Sequence, residues 1–272
     1  MSASFPILDA PTAAAAVMGT AAFMGADRHI GGRKTQQDQV LCLSTANHKH
    51  QLLLVADGVG GHGGGAEAAQ AIVDAAQQLF PAALSRFANG RDFLANFCAV
   101  ANQAVQRAHT LGEAHGFSTL VALLTDAERA FWVHVGDSRL YGFKGGELFH
   151  QTRDHSLVQR LVDFGKITEA ERDRHSERNR VLQVMGMPNI QPTFGETALS
   201  ADMSFLLCTD GFWDQIRPPE MRQILAAEDL QFAANLWVRQ AARRGGAGGD
   251  NIALALWRMP PKQPRRWLSF RG

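Results

Sequence analysis

Residues Leu52–Ala69 read LLLVADGVGGHGGGAEAA. An apolar run ends in Asp57, a glycine-rich turn follows, and alanine-rich sequence of helical character comes next. Gly58, Gly60 and Gly63 spell G-x-G-x-x-G between a strand-like and a helix-like segment, the outline of a dinucleotide-binding turn. Such a unit also needs an acidic residue about 20 positions on, at the end of the next strand, to hold a ribose. Residues 77–84 carry no carboxylate and read as the end of a helix. Asp57 itself would repel a pyrophosphate. The fingerprint fails on both counts.

Other nucleotide and nucleophile motifs are missing as well. There is no G-x-x-x-x-G-K-[ST], no H-E-x-x-H, no Cys/His zinc spacing and no G-x-S-x-G. A cysteine phosphatase needs Arg six residues after its Cys. Cys42, Cys98 and Cys208 are followed at that distance by His48, Ala104 and Asp214. The cysteines sit in apolar runs and read as core residues.

The 272-residue chain is 46% hydrophobic and 19% charged, the composition of an ordinary globular protein. A formal net charge of +1 points to no nucleic-acid partner and no membrane surface. No apolar run approaches the ~20 residues that span a bilayer. Three scattered cysteines favour a reducing compartment, so a cytoplasmic location is expected. Residues 1–16 are Ala/Pro-rich and expected to be loose. Residues 17–258 read as one domain, and 259–272 as a basic Pro/Arg-rich tail, a solvated extension with a docking or membrane-surface peptide as the alternative.

Strand-like runs cover 17–26, 39–43, 51–56, 118–124, 130–135, 140–143, 204–209 and 252–257. Helical patterns cover 66–80, 92–111, 156–164, 220–228 and 230–243. Thr168 with Glu171 fits a capping box for a short helix within 167–175. Residues 128–148 read as a meander with Gly-rich turns, which implies antiparallel pairing. Strands and helices that do not alternate one by one indicate an α+β fold rather than a doubly wound sheet.

Four aspartates share a setting. LLLVAD ends in Asp57, FWVHVGD in Asp137 and FLLCTD in Asp210, each after an apolar strand, while Asp250 directly precedes the last one. If that last strand runs antiparallel to the others, all four carboxylates meet at one sheet edge. Two like charges ~5 Å apart at an effective dielectric of ~20 repel by about 3 kcal/mol. Six such pairs rival the about 5–15 kcal/mol stability of a domain. The set therefore calls for protons or cations, and oxygen-only ligands suit Mg²⁺ or Mn²⁺ over zinc. Taken singly, each aspartate reads as a turn residue. Asp38 precedes another apolar run and follows Arg33 by five residues. Arginine is suited to bidentate phosphate binding, although Arg33 alone also reads as a surface residue.

With these residues in view, the sequence resembles the PPM/PP2C family of metal-dependent protein serine/threonine phosphatases, bacterial type. RKTQQD (33–38), DGVGGH (57–62), VGDSRLY (135–141), CTDGFWD (208–214) and GGDNIAL (248–254) look like the family's motifs in order, and 152–186 resembles its D-H-S and flap segment. The resemblance implies a central antiparallel β-sandwich flanked by helices on both sides (α-β-β-α layers) with a flap at about 154–187. It implies two catalytic Mn²⁺ or Mg²⁺ ions and a weaker third. Asp57 and the Gly58 carbonyl, with Asp210 and Asp250, would hold the pair, and Asp38 would act through water. Asp137 with Asp210 would hold the third ion. Arg33 would clamp the substrate phosphate, His62 would protonate the leaving oxygen, and Asn251 would orient the Asp250 side chain. His62 also fits a turn histidine that only bonds backbone. Gln36 for Asn, Phe117 for Gly and Phe212-Trp213 for a smaller pair depart from the pattern without removing a ligand.

The implied reaction is hydrolysis of phosphoserine and phosphothreonine in proteins by metal-activated water. Phosphorylated protein substrates are the expected partners, with a Hanks-type kinase opposing the enzyme, type VI secretion control being one setting the resemblance offers, and a monomer is expected. A catalytically weak phosphate-recognition module on the same fold is the alternative. The flap either shapes access for a protein substrate or is a solvated helical insert.

Overall fold

Every residue of Gln51–Ala56 is buried, although its neighbours in the sheet run antiparallel to it. Antiparallel strands usually alternate apolar and polar residues because one face meets water. Here neither face does. In the computed structural model, which describes residues 23–60, 64–80, 87–111 and 116–259, two sheets stack on each other and helices cover both outer faces.

The chain begins with β1 (Met24–His29), β2 (Gln39–Ser44), β3 (Gln51–Ala56), β4 (Gly58–Val59), α1 (Gly64–Leu79) and α2 (Gly90–Leu111). Next come β5 (Phe117–Ser118), β6 (Leu120–Thr125), β7 (Arg129–Val135), β8 (Arg139–Lys144) and β9 (Glu147–Gln151). Helices α3 (Leu157–Asp163) and α4 (Glu169–Arg172) lead to β10 (Thr193–Ala198) and β11 (Met203–Cys208). The chain ends with α5 (Asp210–Trp213), α6 (Pro218–Leu225), α7 (Leu230–Gly245) and β12 (Ile252–Arg258). One sheet has the order β1-β12-β11-β8-β9 and the other β10-β7-β6-β3-β2, with β4 and β5 as a separate pair.

The period-two geometry of strands divides the core into three layers. Leu52, Leu54 and Ala56 of β3 face α1 and α2, whereas Leu53 and Val55 face the opposite sheet. Leu254 and Leu256 of β12 pack under α6 and α7, while Ala253, Ala255 and Trp257 turn inward against Leu53 and Val55. The result is the expected α-β-β-α sandwich, and it explains the unbroken apolar runs.

Element boundaries differ from the expectation where apolar content is low. β10 has a half-exposed pattern at a sheet edge and was not foreseen, because TFGETA carries little apolar signal. β9 is likewise an exposed edge strand. Within the described residues the first strand runs from Met24 to His29; the expected start at 17 falls on residues 17–22, which lie outside those described, as do 1–16 and 260–272. The run 204–209 stops at Cys208, because Asp210 opens a helical turn. The Thr168–Glu171 capping box is present. No described helix is long and apolar enough to cross a membrane.

Phe205 anchors the layer between the sheets, with its ring 5.7 Å from that of Trp257 and 6.4 Å from that of Trp132. Phe205→Ala is expected to cost about 3–5 kcal/mol. In urea titrations this should lower the unfolding midpoint with an unchanged slope.

Candidate metal and phosphate site

Strand register brings the acids together. Gln39 pairs with Ala56 across β2 and β3, so the next rung outward holds Asp38 and Asp57. Arg139 pairs with Cys208 across β8 and β11, so two steps outward lie Asp137 and Asp210. β12 runs antiparallel to β11, with Cys208 opposite Leu254. Its start, preceded by Asp250, therefore lies at the edge where β11 ends.

Buried hydroxyls join the two sheets at this edge. Thr209 donates its hydroxyl to Asp38 Oδ2 at 2.7 Å and accepts the Ala253 N–H at 2.8 Å. Thr119 accepts the Asp57 N–H at 3.0 Å, and its hydroxyl lies 2.7 Å from that of Ser138, beside Asp137. Sequence reasoning passed over Thr119, Ser138 and Thr209. Their signal was a polar residue inside or at the end of an apolar run, where a lone hydroxyl needs a partner.

The loop carrying Arg33 is fastened by Asn251. The Asn251 side-chain amide donates to Ile30 O at 2.8 Å and Thr35 O at 3.0 Å, and its oxygen accepts the Gln37 N–H at 2.7 Å. The expectation that this side chain orients Asp250 is corrected: the Asn251 backbone N–H does so, at 2.7 Å from Asp250 Oδ1. Asn251 instead positions the Arg33 loop. Gly31 adopts φ +63°, and a Cβ there would lie 1.9 Å from Asp250 O, so only glycine allows this approach. Arg33 reaches Asp250 Oδ2 at 2.5 Å, and both side chains stay open to solvent at 57% and 39%.

Gly58 follows Asp57 into β4. A Cβ on Gly58 would stand 2.2 Å from Gly65 O, so the turn can fold onto the start of α1 only without a side chain. His62 lies outside the described residues. Phe117 pairs with Val59 on the rim of this turn. The flap closes on itself through a bridge from Ser156 to Val181 and is joined to β5 by a bridge from Ser118 to Met185. A longer contact joins Arg178 to Asp214 at 3.7 Å.

Electrostatics mark the cluster as unfinished. Burial pushes Asp38 up to about 8, with Asp210 and Asp250 adding repulsion while the Thr209 hydroxyl opposes it. Burial, then the charges of Asp38, Asp210 and Asp137, hold Asp57 well above the carboxylate range. Asp210 is raised by burial and by Asp137 and Asp250. Asp137 is pushed up to about 7 by burial and then by Asp154. Asp38 Oδ1 and Asp210 Oδ1 are buried without any hydrogen-bond partner. Such atoms are costly unless something fills the place opposite them.

Among the described residues, no three Asp, Glu, His or Cys side chains close into a metal cage. An oxygen-only set of this openness fits hard cations that keep several waters, as Mg²⁺ does, and not a closed tetrahedral zinc site. The residues present thus fit hydrated divalent ions.

The family profile of protein phosphatase 2C matches residues 26–243. This chain belongs to the protein phosphatase 2C family. It is 31% identical over 235 residues to protein phosphatase PhpP of Streptococcus pneumoniae, covering 84% of this chain and 93% of PhpP. The Mycobacterium tuberculosis serine/threonine phosphatase PstP/Ppp superposes with a TM-score of 0.76 at 29% identity, over 88% of this chain and 98% of that one. A structure of the PstP catalytic domain in complex with two manganese ions gives 0.72 at 27% identity, over 86% of this chain and 96% of that one. PppA, a key regulatory component of the type VI secretion system in Pseudomonas aeruginosa, gives 0.71 at 28%, over 86% of this chain and 96% of that one. Asp250 and Asn251 lie beyond the residues the profile matches and join the site through β12.

A sign follows for the metal-free protein. Asp38 and Asp137 titrate near 8 and 7 when folded, against an ordinary 3.8. Their contribution to stability is complete below pH 3.8 and is lost as pH rises through the folded values. With metal chelated, the thermal midpoint should fall between pH 4 and 8 on their account, and Mn²⁺ should flatten that slope. Scanning calorimetry across this range, with and without Mn²⁺, reads both effects.

Proposed function

We propose that this protein hydrolyses phosphoserine and phosphothreonine in proteins with the help of divalent metal ions. The observation that carries this reading is the convergence of Asp38 and Asp57 from one sheet with Asp210 and Asp250 from the other at the same end of the sandwich, with buried and unpartnered carboxylate oxygens on Asp38 and Asp210 beside an exposed arginine. Membership in the protein phosphatase 2C family supplies the reaction class.

In this reading Asp57, the Gly58 carbonyl, Asp210 and Asp250 would hold a pair of Mn²⁺ or Mg²⁺ ions, with Asp38 acting through water. Asp137 with Asp210 would hold a weaker third ion. When bound, the ions supply Lewis-acid stabilisation of the phosphoryl charge and lower the pKa of a water that serves as nucleophile. The chain's own residues do the rest. Thr209 and Thr119 keep Asp38 and Asp57 in place from both sheets. Arg33 exchanges its contact with Asp250 for the substrate phosphate, which its planar fork fits in a bidentate manner. His62 donates the proton that the departing serine or threonine oxygen requires.

The substrates in this reading are phosphoproteins, produced by a Hanks-type kinase in the same cytoplasm, and the enzyme acts as a monomer. The likeness to PppA favours a place in type VI secretion control. The flap, joined to the rim of the site by Arg178 and Asp214, shapes access for the protein substrate.

Asp57→Asn and Asp210→Asn should each abolish Mn²⁺-dependent hydrolysis of p-nitrophenyl phosphate while far-ultraviolet circular dichroism is unchanged. Retained turnover in both variants would sink the metal-cluster reading, whereas wild-type protein without Mn²⁺-dependent turnover would favour a phosphate-docking module. Arg33→Ala should raise KM for a phosphothreonine peptide roughly tenfold or more, the worth of a charged hydrogen bond. Steady-state kinetics with the peptide checks it, and an unchanged KM would remove Arg33 from phosphate binding.

A further inference from the structure

We infer that Trp213 is a positioning residue that holds the Asp137 loop against the helix of Asp210 and fastens the same loop to the root of the flap. This rests on the metal-site reading above. Asp210 opens α5 and Trp213 closes it, so one helical turn separates the carboxylate from the indole. The Trp213 indole N–H donates to the backbone oxygen of Asp137 at 3.1 Å. Asp137 lies in the loop between β7 and β8, outside both strand ladders, so its carbonyl is not held by sheet pairing.

The ring has a second role. The Arg139 guanidinium carbon stands 3.5 Å from the Trp213 ring centroid, close enough for a strong cation–π contact. Arg139 is in turn gripped by Asp154 through two hydrogen bonds of 2.7 and 2.6 Å, with both side chains almost wholly buried. Asp154 begins the flap, and the next residue, His155, donates its backbone N–H to Gly136 O at 2.8 Å. The loop 136–138 and the start of β8 at Arg139 are therefore held from the flap side by Asp154 and His155 and from the α5 side by Trp213. A leucine at 213 would fill space but offer neither a donor nor a π face. Trp213 thus ties Asp137, Asp210 and the flap together.

The test uses the full chain, stripped of metal. Mn²⁺ binding is measured by titration calorimetry for wild type, Trp213→Phe and Trp213→Leu. Thermal midpoints of the metal-free proteins and KM for a phosphothreonine peptide are measured in parallel. Trp213→Phe keeps the ring and loses the donor; it should weaken the weakest resolved Mn²⁺ step roughly tenfold while the stronger steps and the metal-free midpoint stay close to wild type. Trp213→Leu should add a several-fold rise in peptide KM, because the flap root loses its partner. If wild type binds Mn²⁺ and turns over peptide, and the Trp213→Phe isotherm superimposes on it, the inference is overturned while the metal-site reading stands. A uniform loss of all steps with a lowered metal-free midpoint also overturns it, in favour of a general packing role. Wild-type protein that binds no Mn²⁺ overturns the inference through the reading beneath it.

Discussion

Mutual repulsion among buried carboxylates is the constraint around which the structure is organised. Asp38, Asp57, Asp137 and Asp210 are each pushed toward the protonated form, first by burial and then by their neighbours. A fold of marginal stability tolerates such a group only if the surrounding scaffold is rigid and if cations offset the charge. The rigidity comes from two sheets whose central strands are covered on both faces. Each acid sits just past the end of one of these strands, where the ladder has already fixed the backbone.

Register turns that scaffold into a site. A slip of one residue between β2 and β3 would send Asp38 and Asp57 to opposite faces. Leu52, Leu54, Leu53 and Val55 prevent the slip, since each must face its own layer of the core. Thr209 and Thr119 then lock the sheets to each other at the edge where the acids lie. The packing that stabilises the domain and the geometry that gathers the charge have the same origin.

The Arg33 loop illustrates a different kind of support. It has no strand of its own, and Asn251 holds it through three backbone contacts while Gly31 lets it touch the residue before β12. Arg33 is thereby delivered to the acids yet left exposed. An exposed pair of this kind is worth little to stability, so Arg33 can exchange its partner at low cost. Binding of an anion needs that freedom.

Much of this was legible in the chain itself. The unbroken apolar runs marked strands covered on both faces, and an aspartate at the end of each marked a shared edge, because burial and charge are written in residue type. Five motifs in order pointed to the family. Edge strands β9 and β10 were not legible, since a strand open to water needs few apolar residues. The partners of Asn251, the threonine locks and the place of Trp213 also escaped, because each joins residues far apart in sequence. Single hydrogen bonds between distant side chains leave no periodicity to read. The sequence determined which groups carry the charge and which segments are buried. Only the tertiary structure decided their neighbours, since strand order and register bring into contact residues separated by more than two hundred positions, such as Ile30 and Asn251.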